Sequence, residues 1–344
     1  MRNLKHLTGP ILMGILVSSA MFFSGCTKEG PQGPPGEDGE SAQDQCGTCH
    51  DVSTDVKARE VQWASSKHAT GGNFERNAAY CAGCHTHEGF IDVLENGNTD
   101  MVASESPVNP SPIGCRTCHQ IHETFGPEDW QLTATEPVNL IVGDGTPADM
   151  GKGNVCASCH QARDPEPLPV AGGDDVNIDS PYWGPHHGTQ TNMIAAQGGV
   201  EFEGELAYNK GPHSDMEGGC VTCHMSEPYG DQAGGHNMGM TYAYHGHDAP
   251  LTTGCTDCHE GEDFDFNYGG VQTDTEELLT ELKDELVTRG VMDDTDHPIP
   301  GTYSATEAGA LYNYLFVLED YSLGVHNSHY AKALLENTLD KLNS

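Results

Sequence analysis

Residues 220–224 read Cys-Val-Thr-Cys-His, and the pattern Cys-x-x-Cys-His occurs six times in this chain of 344 residues. Chance would produce on the order of 0.03 such motifs at this cysteine and histidine content. The repeated pattern therefore decides what the chain binds and how it folds. In chain order, the six motifs occupy residues 46–50, 81–85, 115–119, 156–160, 220–224 and 255–259.

Cys-x-x-Cys-His is the signature of covalent c-type haem attachment. Two thiols about one helical turn apart reach the two vinyl groups of one porphyrin, and the adjacent imidazole can bind its iron. A disulfide framework would not place histidine after every second cysteine, and zinc sites would leave six histidines unexplained. We therefore predict six haem c groups. The attachment cysteines are Cys46, Cys49, Cys81, Cys84, Cys115, Cys118, Cys156, Cys159, Cys220, Cys223, Cys255 and Cys258, and the proximal iron ligands are His50, His85, His119, His160, His224 and His259.

The net charge of the chain limits the classes of partner that it is expected to bind. It carries 52 acidic and 15 basic residues, a formal net charge of -37. This excess argues against nucleic acid as a partner, because polyanions are bound by clustered Lys and Arg. It also argues against docking on anionic lipid. Only 36% of residues are hydrophobic, so we predict that porphyrin fills much of the interior. The acidic residues permit a calcium site, for which we name no ligands.

The N-terminus predicts export. A short basic segment and an apolar stretch lead to Ser24-Gly25-Cys26, so residues 1–25 are predicted to be a signal peptide. The Gly-Cys junction resembles a bacterial lipobox, which would make Cys26 a lipid-modified N-terminus at the outer membrane, on the periplasmic or the cell-surface face. A free or buried Cys26 is the alternative. Residues 26–44, with glycines at 30, 33, 36 and 39, are predicted to be an extended tether, with a trimerisation segment as the alternative.

The rest of the chain is predicted to comprise a hexahaem domain, residues 45–270, and C-terminal helices packed on it, residues 271–344. Apolar periodicity predicts helices over 273–291 and 328–342, and a capping-box pair, Ser304 and Glu307, starts another between them. Residues 136–142 are the best candidate for a short strand. We predict a mainly α fold with few strands: a haem-packed multihaem cytochrome c with a helical C-terminal region.

A second histidine on each iron would close it to substrates and suit it to electron transfer. Twelve histidines remain beyond the attachment motifs and His6, enough for six such distal positions. His122 lies one turn beyond the third motif, cannot reach the opposite face of the same iron, and would bind a neighbouring haem. Sequence context singles out as distal candidates His68, His122, His186, His187, His213, His236 and His326.

Several segments resemble bacterial multihaem cytochromes of the assembly that includes cytochrome c nitrite reductase and hydroxylamine oxidoreductase. They include WASSKHA at 63–69, GKGNVCASCHQAR at 151–163, PHHGTQ at 185–190 and SLGVHNSHYAKALL at 322–335. The resemblance implies bis-histidine haems in stacked and near-perpendicular pairs, with His186 or His187 supplying one distal ligand. It places His87 at a variable, surface position. The Cys-x-x-Cys-Lys motif of the nitrite reductases does not occur in the sequence, which weakens the catalytic implication.

Three functions remain open. The first is electron transfer through six bis-histidine haems in anaerobic or extracellular respiration, with other redox proteins or extracellular acceptors as partners and no catalytic residues. The second is reduction of a small nitrogen or sulfur oxyanion at one open haem. The third is a subunit of a haem-lined filament, in which a histidine of one chain ligates a haem of the next.

Overall fold

A computed structural model describes residues 54–259 and 264–344. The first motif, Cys26 and the predicted signal and tether lie outside the described residues. The described chain is mainly helical. Its helices are Thr54–Ser65, Lys67–Thr70, Ala79–His85, His87–Asn96, Cys115–Cys118, Asn154–Ala157, Gln190–Ala195, Cys220–His224, Val271–Thr288, Ala305–Leu318 and Ser328–Leu342, joined by long loops and short 3₁₀ turns.

Strands are few and short. Val176–Ile178 pairs antiparallel with Gly301–Tyr303, and this pair joins the middle of the chain to the C-terminal region. Thr241–Tyr244 and His247–Pro250 form an antiparallel hairpin. The predicted strand at 136–142 is wrong: Val138 makes only an isolated bridge with Ala148. The bridge does not extend into a ladder with a neighbouring strand. An apolar run forms a strand only where such a partner pairs with it.

The three C-terminal helices form where the sequence predicts them, and their ends are capped by side chains. Ser304 accepts a hydrogen bond from the backbone of Glu307, whose carboxylate accepts one from the Ser304 backbone, the predicted capping box. Asn327 caps the last helix by accepting from the Tyr330 backbone. The last helix spans Ser328–Leu342, the predicted bounds.

These helices build a side-chain core of their own, which the low apolar fraction did not predict. Leu282, Phe316, Tyr330 and Leu334 are fully buried in it, together with Phe202 from the segment that precedes the fifth motif. Each such apolar side chain contributes about 1.5–3 kcal/mol on burial. The apolar stripes of the helices therefore pack mainly on one another and on residues 176–202.

Buried polar groups join this core to the segment that carries the PHHG sequence. The Thr189 hydroxyl donates to the backbone oxygen of Phe316 at 2.9 Å, and the Asn327 amide donates to the backbone oxygen of Met193 at 3.1 Å. Both side chains are almost completely buried, where a lost partner would leave a polar group unsatisfied. The C-terminal core therefore fixes the position of residues 185–195.

Candidate haem sites

The attachment motifs line one large cavity. Its volume is about 2910 Å³, several times the roughly 300–1,000 Å³ of an ordinary small-molecule site. Nine of the attachment cysteines line it, as do the attachment histidines of motifs two to six. Its walls also include apolar side chains of the motif region, such as Phe90 and Val155, and of the C-terminal region, such as Leu315 and Val325. A cavity of this size and composition has room for several porphyrins.

Within the cavity, each attachment histidine of motifs two to six faces a second histidine. The five pairs, with the distances between their ring centroids, are His85 and His186 at 6.0 Å, His119 and His236 at 6.3 Å, His68 and His160 at 6.1 Å, His224 and His326 at 6.3 Å, and His213 and His259 at 6.2 Å.

This spacing matches the coordination of one metal ion from two opposite sides. A metal–nitrogen bond of about 2.0 Å on each side, with about 1.2 Å from the nitrogen to the ring centroid, places two centroids about 6.4 Å apart. The five observed distances lie within half an ångström of that value. Direct ring packing does not explain why all five share it. The spacing of the paired histidines fits an iron ion held between them.

The orientation of the imidazoles supports the same role. In five of the ten paired histidines, Nδ1 lies beside an oxygen acceptor, so that the proton belongs on Nδ1 and Nε2 keeps its lone pair. The acceptors are the backbone oxygens of Trp130, Met238 and Val325, the side-chain oxygen of Gln190 and the carboxylate of Asp320. Metal-binding histidines commonly have their second nitrogen held in this way.

Burial keeps several of these imidazoles neutral. It lowers the pKa of His68 to about 4, with a smaller contribution from the neighbouring His160. Burial, followed by the nearby His187, likewise lowers the pKa of His186 to about 4. An iron ion binds the neutral imidazole, so protons do not compete for these nitrogens near neutral pH.

The two histidines of the PHHG sequence separate in the structure. His186 adopts a left-handed backbone with φ of 63° and faces His85. His187 is two-thirds exposed, and its Nδ1 lies 2.5 Å from Oε2 of Glu319. The Tyr321 hydroxyl donates to that same carboxylate at 2.6 Å. His186 is therefore the member of the pair placed to ligate.

Two further candidates have other surroundings. The ring of His122 lines the cavity and stacks on Phe125 with centroids 5.5 Å apart. Asp129, which is 3% exposed, accepts a hydrogen bond from the His122 backbone and so fixes this turn. His87, which the resemblance places at a variable surface position, is partly exposed, and its Nδ1 lies 3.1 Å from the Thr117 hydroxyl.

The cysteines show which attachment motifs are neighbours. Cys84 and Cys159 lie close enough for a thiol–thiol hydrogen bond, as do Cys156 and Cys220. Cys223 and Cys255 form a third such pair. Motif four therefore touches motifs two and five, and motif five touches motif six.

The third motif joins the array at motif four. Cys118 packs against the same small apolar cluster, centred on Phe90 and Val93, as the cysteines of motif four. Its negative charge, when ionised, would also raise the pKa of both Cys156 and Cys159. Motif four is thus in contact with motifs two and five, and it shares an apolar cluster with motifs two and three. The described sites therefore do not form a line in chain order.

Glycines permit the closest of these approaches. Gly219, directly before the fifth motif, has φ of +51°, and a Cβ on it would lie 2.1 Å from the backbone oxygen of Met150, ahead of the fourth motif. Only glycine adopts such a backbone without strain and leaves room for this contact. The sequence reasoning overlooked this signal, although glycine also directly precedes Cys115 and Cys255.

Replacing Gly219 with alanine should destabilise the junction of motifs four and five. The left-handed backbone alone costs about 1–3 kcal/mol, and the overlap with Met150 adds to it. Gly230→Ala is the matched control, because Gly230 has φ of +60° but open space around it. We expect thermal unfolding to show a lower Tm for Gly219→Ala than for Gly230→Ala. Equal Tm values would contradict the close approach.

No group of three or more His, Cys, Asp or Glu side chains in residues 54–259 and 264–344 is arranged to hold a metal ion. The predicted calcium site thus has no ligand set in this part of the chain. Of the helices formed by the described residues, none combines the length and the apolar character needed to cross a membrane.

Comparison with known proteins shows which fold the chain has. No family model matches the chain, and no curated protein matches it. The crystal structure of the outer cell wall cytochrome OcwA is similar, with a TM-score of 0.52 and 20% sequence identity. The match covers 83% of this chain and 50% of that one, so the chain spans about half the length of that structure. The chain therefore has a multihaem cytochrome fold, mainly helical with few strands.

Proposed function

We propose that this chain is an exported electron carrier that binds six haem c groups and passes electrons between them by outer-sphere transfer. The observation that carries the proposal is the set of five histidine pairs at 6.0–6.3 Å, one for each attachment motif of the described residues. Haem iron, when bound, supplies the one-electron ferric–ferrous couple. Two histidines per iron leave no position for a substrate.

For the haem of the first motif, we propose His122 as the distal ligand. Its ring lines the shared cavity, while the candidates His68, His186, His213, His236 and His326 each face another attachment histidine. A tight turn anchored by Asp129 presents it there. The choice agrees with its sequence position, one turn beyond a proximal histidine and directed at a neighbouring haem.

The contacts between motifs support transfer along the whole array. Cysteines that touch would hold the haems of their two motifs side by side, and all six of these cysteines line the same large cavity. These contacts favour electron exchange of motif four with motifs two and five, and of motif five with motif six. We propose that transfer follows this order of contacts.

We further propose attachment to the outer membrane through a lipid on Cys26, with residues 26–44 as the tether, and a role in anaerobic or extracellular respiration. The net charge of -37 favours basic redox proteins or metal-oxide surfaces as partners. We propose that the two alternative functions concern the first motif, because each described attachment histidine faces a second histidine. The haem of the first motif would be the open haem for oxyanion reduction, or the one ligated by a histidine of the next subunit in a filament.

Ligand counting on the purified protein tests this proposal. We expect six haems per chain by the pyridine haemochrome assay, only low-spin ferric signals in electron paramagnetic resonance, and no carbon monoxide binding to the reduced protein. A high-spin signal equivalent to one haem, with turnover of nitrite, hydroxylamine or tetrathionate, would favour the reductase instead. Fewer than six haems would contradict the proposed cofactor content.

A further inference from the structure

One paired histidine differs from the others in what holds its outer nitrogen. His119, His160, His213 and His224 each place Nδ1 beside a neutral oxygen, at 2.7–3.2 Å. His326 instead places Nδ1 2.6 Å from Oδ1 of Asp320, a carboxylate. Among the paired histidines of the described chain, His326 is the one whose ring is held by a full negative charge.

The surroundings keep that charge directed at the imidazole. The Asp320 side chain is 1% exposed, so water does not screen it. In the part of the chain that the structure describes, no lysine or arginine comes within 4.0 Å of it, and its ion-pair partner is His326. Its second oxygen accepts a hydrogen bond from Ser322.

The loop between the two residues is shaped for this contact. Tyr321, Leu323 and Gly324 all have φ between +51° and +87°. Two of them are not glycine, and such a backbone costs free energy that the surrounding structure must hold. The Ser322 hydroxyl also accepts a hydrogen bond from the His326 backbone at 3.1 Å, which closes the loop. The strained backbone of this loop places the buried carboxylate of Asp320 against the imidazole of His326.

We propose that Asp320 sets the haem of the fifth motif, ligated by His224 and His326, to the lowest reduction potential of the five described sites. The inference rests on the proposed function and deepens it. An anionic partner at Nδ1 makes the imidazole a more basic ligand and stabilises the ferric over the ferrous iron. Held by His224 and His326, the haem would supply a one-electron ferric–ferrous couple and would exchange that electron with a neighbouring haem.

Because of where this haem lies in the array, its low potential would affect electron transfer to and from the sixth site. Motif five touches motif four through Cys220 and motif six through Cys223. Among the described motifs, the cysteines of the sixth pair with those of the fifth alone, so an electron passing between the sixth site and the other described sites crosses the fifth. The low potential of the fifth haem would make that crossing an uphill step, and Asp320 would set its height.

The test is a spectroelectrochemical titration of the full protein with all its haems, comparing three variants. In Asp320→Asn, we expect the most negative component, one haem, to become easier to reduce by about tenfold, about 59 mV for a one-electron couple. Ser322→Ala removes the hydrogen bond that draws charge from the carboxylate, so that component should move the opposite way. Asp293→Asn is the control: it removes a carboxylate 3.9 Å from His297, which faces no attachment histidine.

The outcomes separate this inference from the proposed function. If Asp320→Asn retains six low-spin haems and leaves every component unmoved, Asp320 does not set the potential, although the carrier function stands. If the unmodified protein lacks six haems, the proposed function fails before the variants are compared. If Asp320→Asn produces a high-spin haem, Ser322→Ala decides: a more negative component supports the inference, and an unchanged one overturns it. A merely structural role for Asp320 would not move the potential in opposite directions in the two variants.

Discussion

His186→Ala should bind one equivalent of carbon monoxide per chain after reduction, where the unmodified protein binds none. His186 faces His85 at 6.0 Å from the opposite side of the second haem site, so its loss leaves that iron with one protein ligand and one vacant position. Five-coordinate iron is high-spin in the absence of an added ligand and accepts carbon monoxide when ferrous. One haem should change its spectrum and the others should keep theirs.

The neighbouring histidine is the matched control. His187→Ala removes the same side chain one residue away, but His187 is held by Glu319 and Tyr321 and is largely exposed. We expect this variant to stay low-spin and not to bind carbon monoxide. If His187 moves in to replace the lost ligand, His186→Ala will stay low-spin and the double variant His186→Ala/His187→Ala will open the haem. An open haem in His187→Ala alone would contradict the assignment.

The attachment half of each site could be predicted from the sequence because its geometry is local. Two thiols and an imidazole within five residues meet one porphyrin whatever the rest of the chain does. The distal half is different: each of the five pairs encloses at least one other attachment motif in the sequence, as His119 and His236 enclose motifs four and five. Such contacts depend on closing long loops, and spacing alone could not choose between His186 and His187.

The same limit applies to the fold. The C-terminal helices were predicted because their apolar periodicity and the Ser304–Glu307 cap act within one or two turns. The side-chain core between these helices was not predicted. The overall apolar fraction averages helices that are rich in apolar residues with a motif region that is poor in them. The carboxylate on His326 was also within reach of the sequence: Asp320 lies six residues before it, but only the left-handed loop at 321–324 brings the two together.

Removing the haem of motif four should divide the array, because motifs two and five both touch this one. In the variant Cys156→Ser/Cys159→Ser, motif two loses its neighbour at Cys159 and motif five loses its neighbour at Cys156, while motifs five and six stay in contact through Cys223 and Cys255. The protein should still bind five haems, but electrons that enter at motif six should no longer reach motif two.

Protein-film voltammetry measures this as the fraction of bound haems that respond when the scan rate rises. The matched control is Cys115→Ser/Cys118→Ser, which also removes one haem but at a site whose cysteines do not pair with a cysteine of another described motif. Motifs two, four, five and six remain joined in the control, so their haems should respond together at fast scan. In the motif-four variant, only part of them should respond. Equal fractions in two variants that each hold five haems would show that electrons follow the chain order and not the contacts between cysteines.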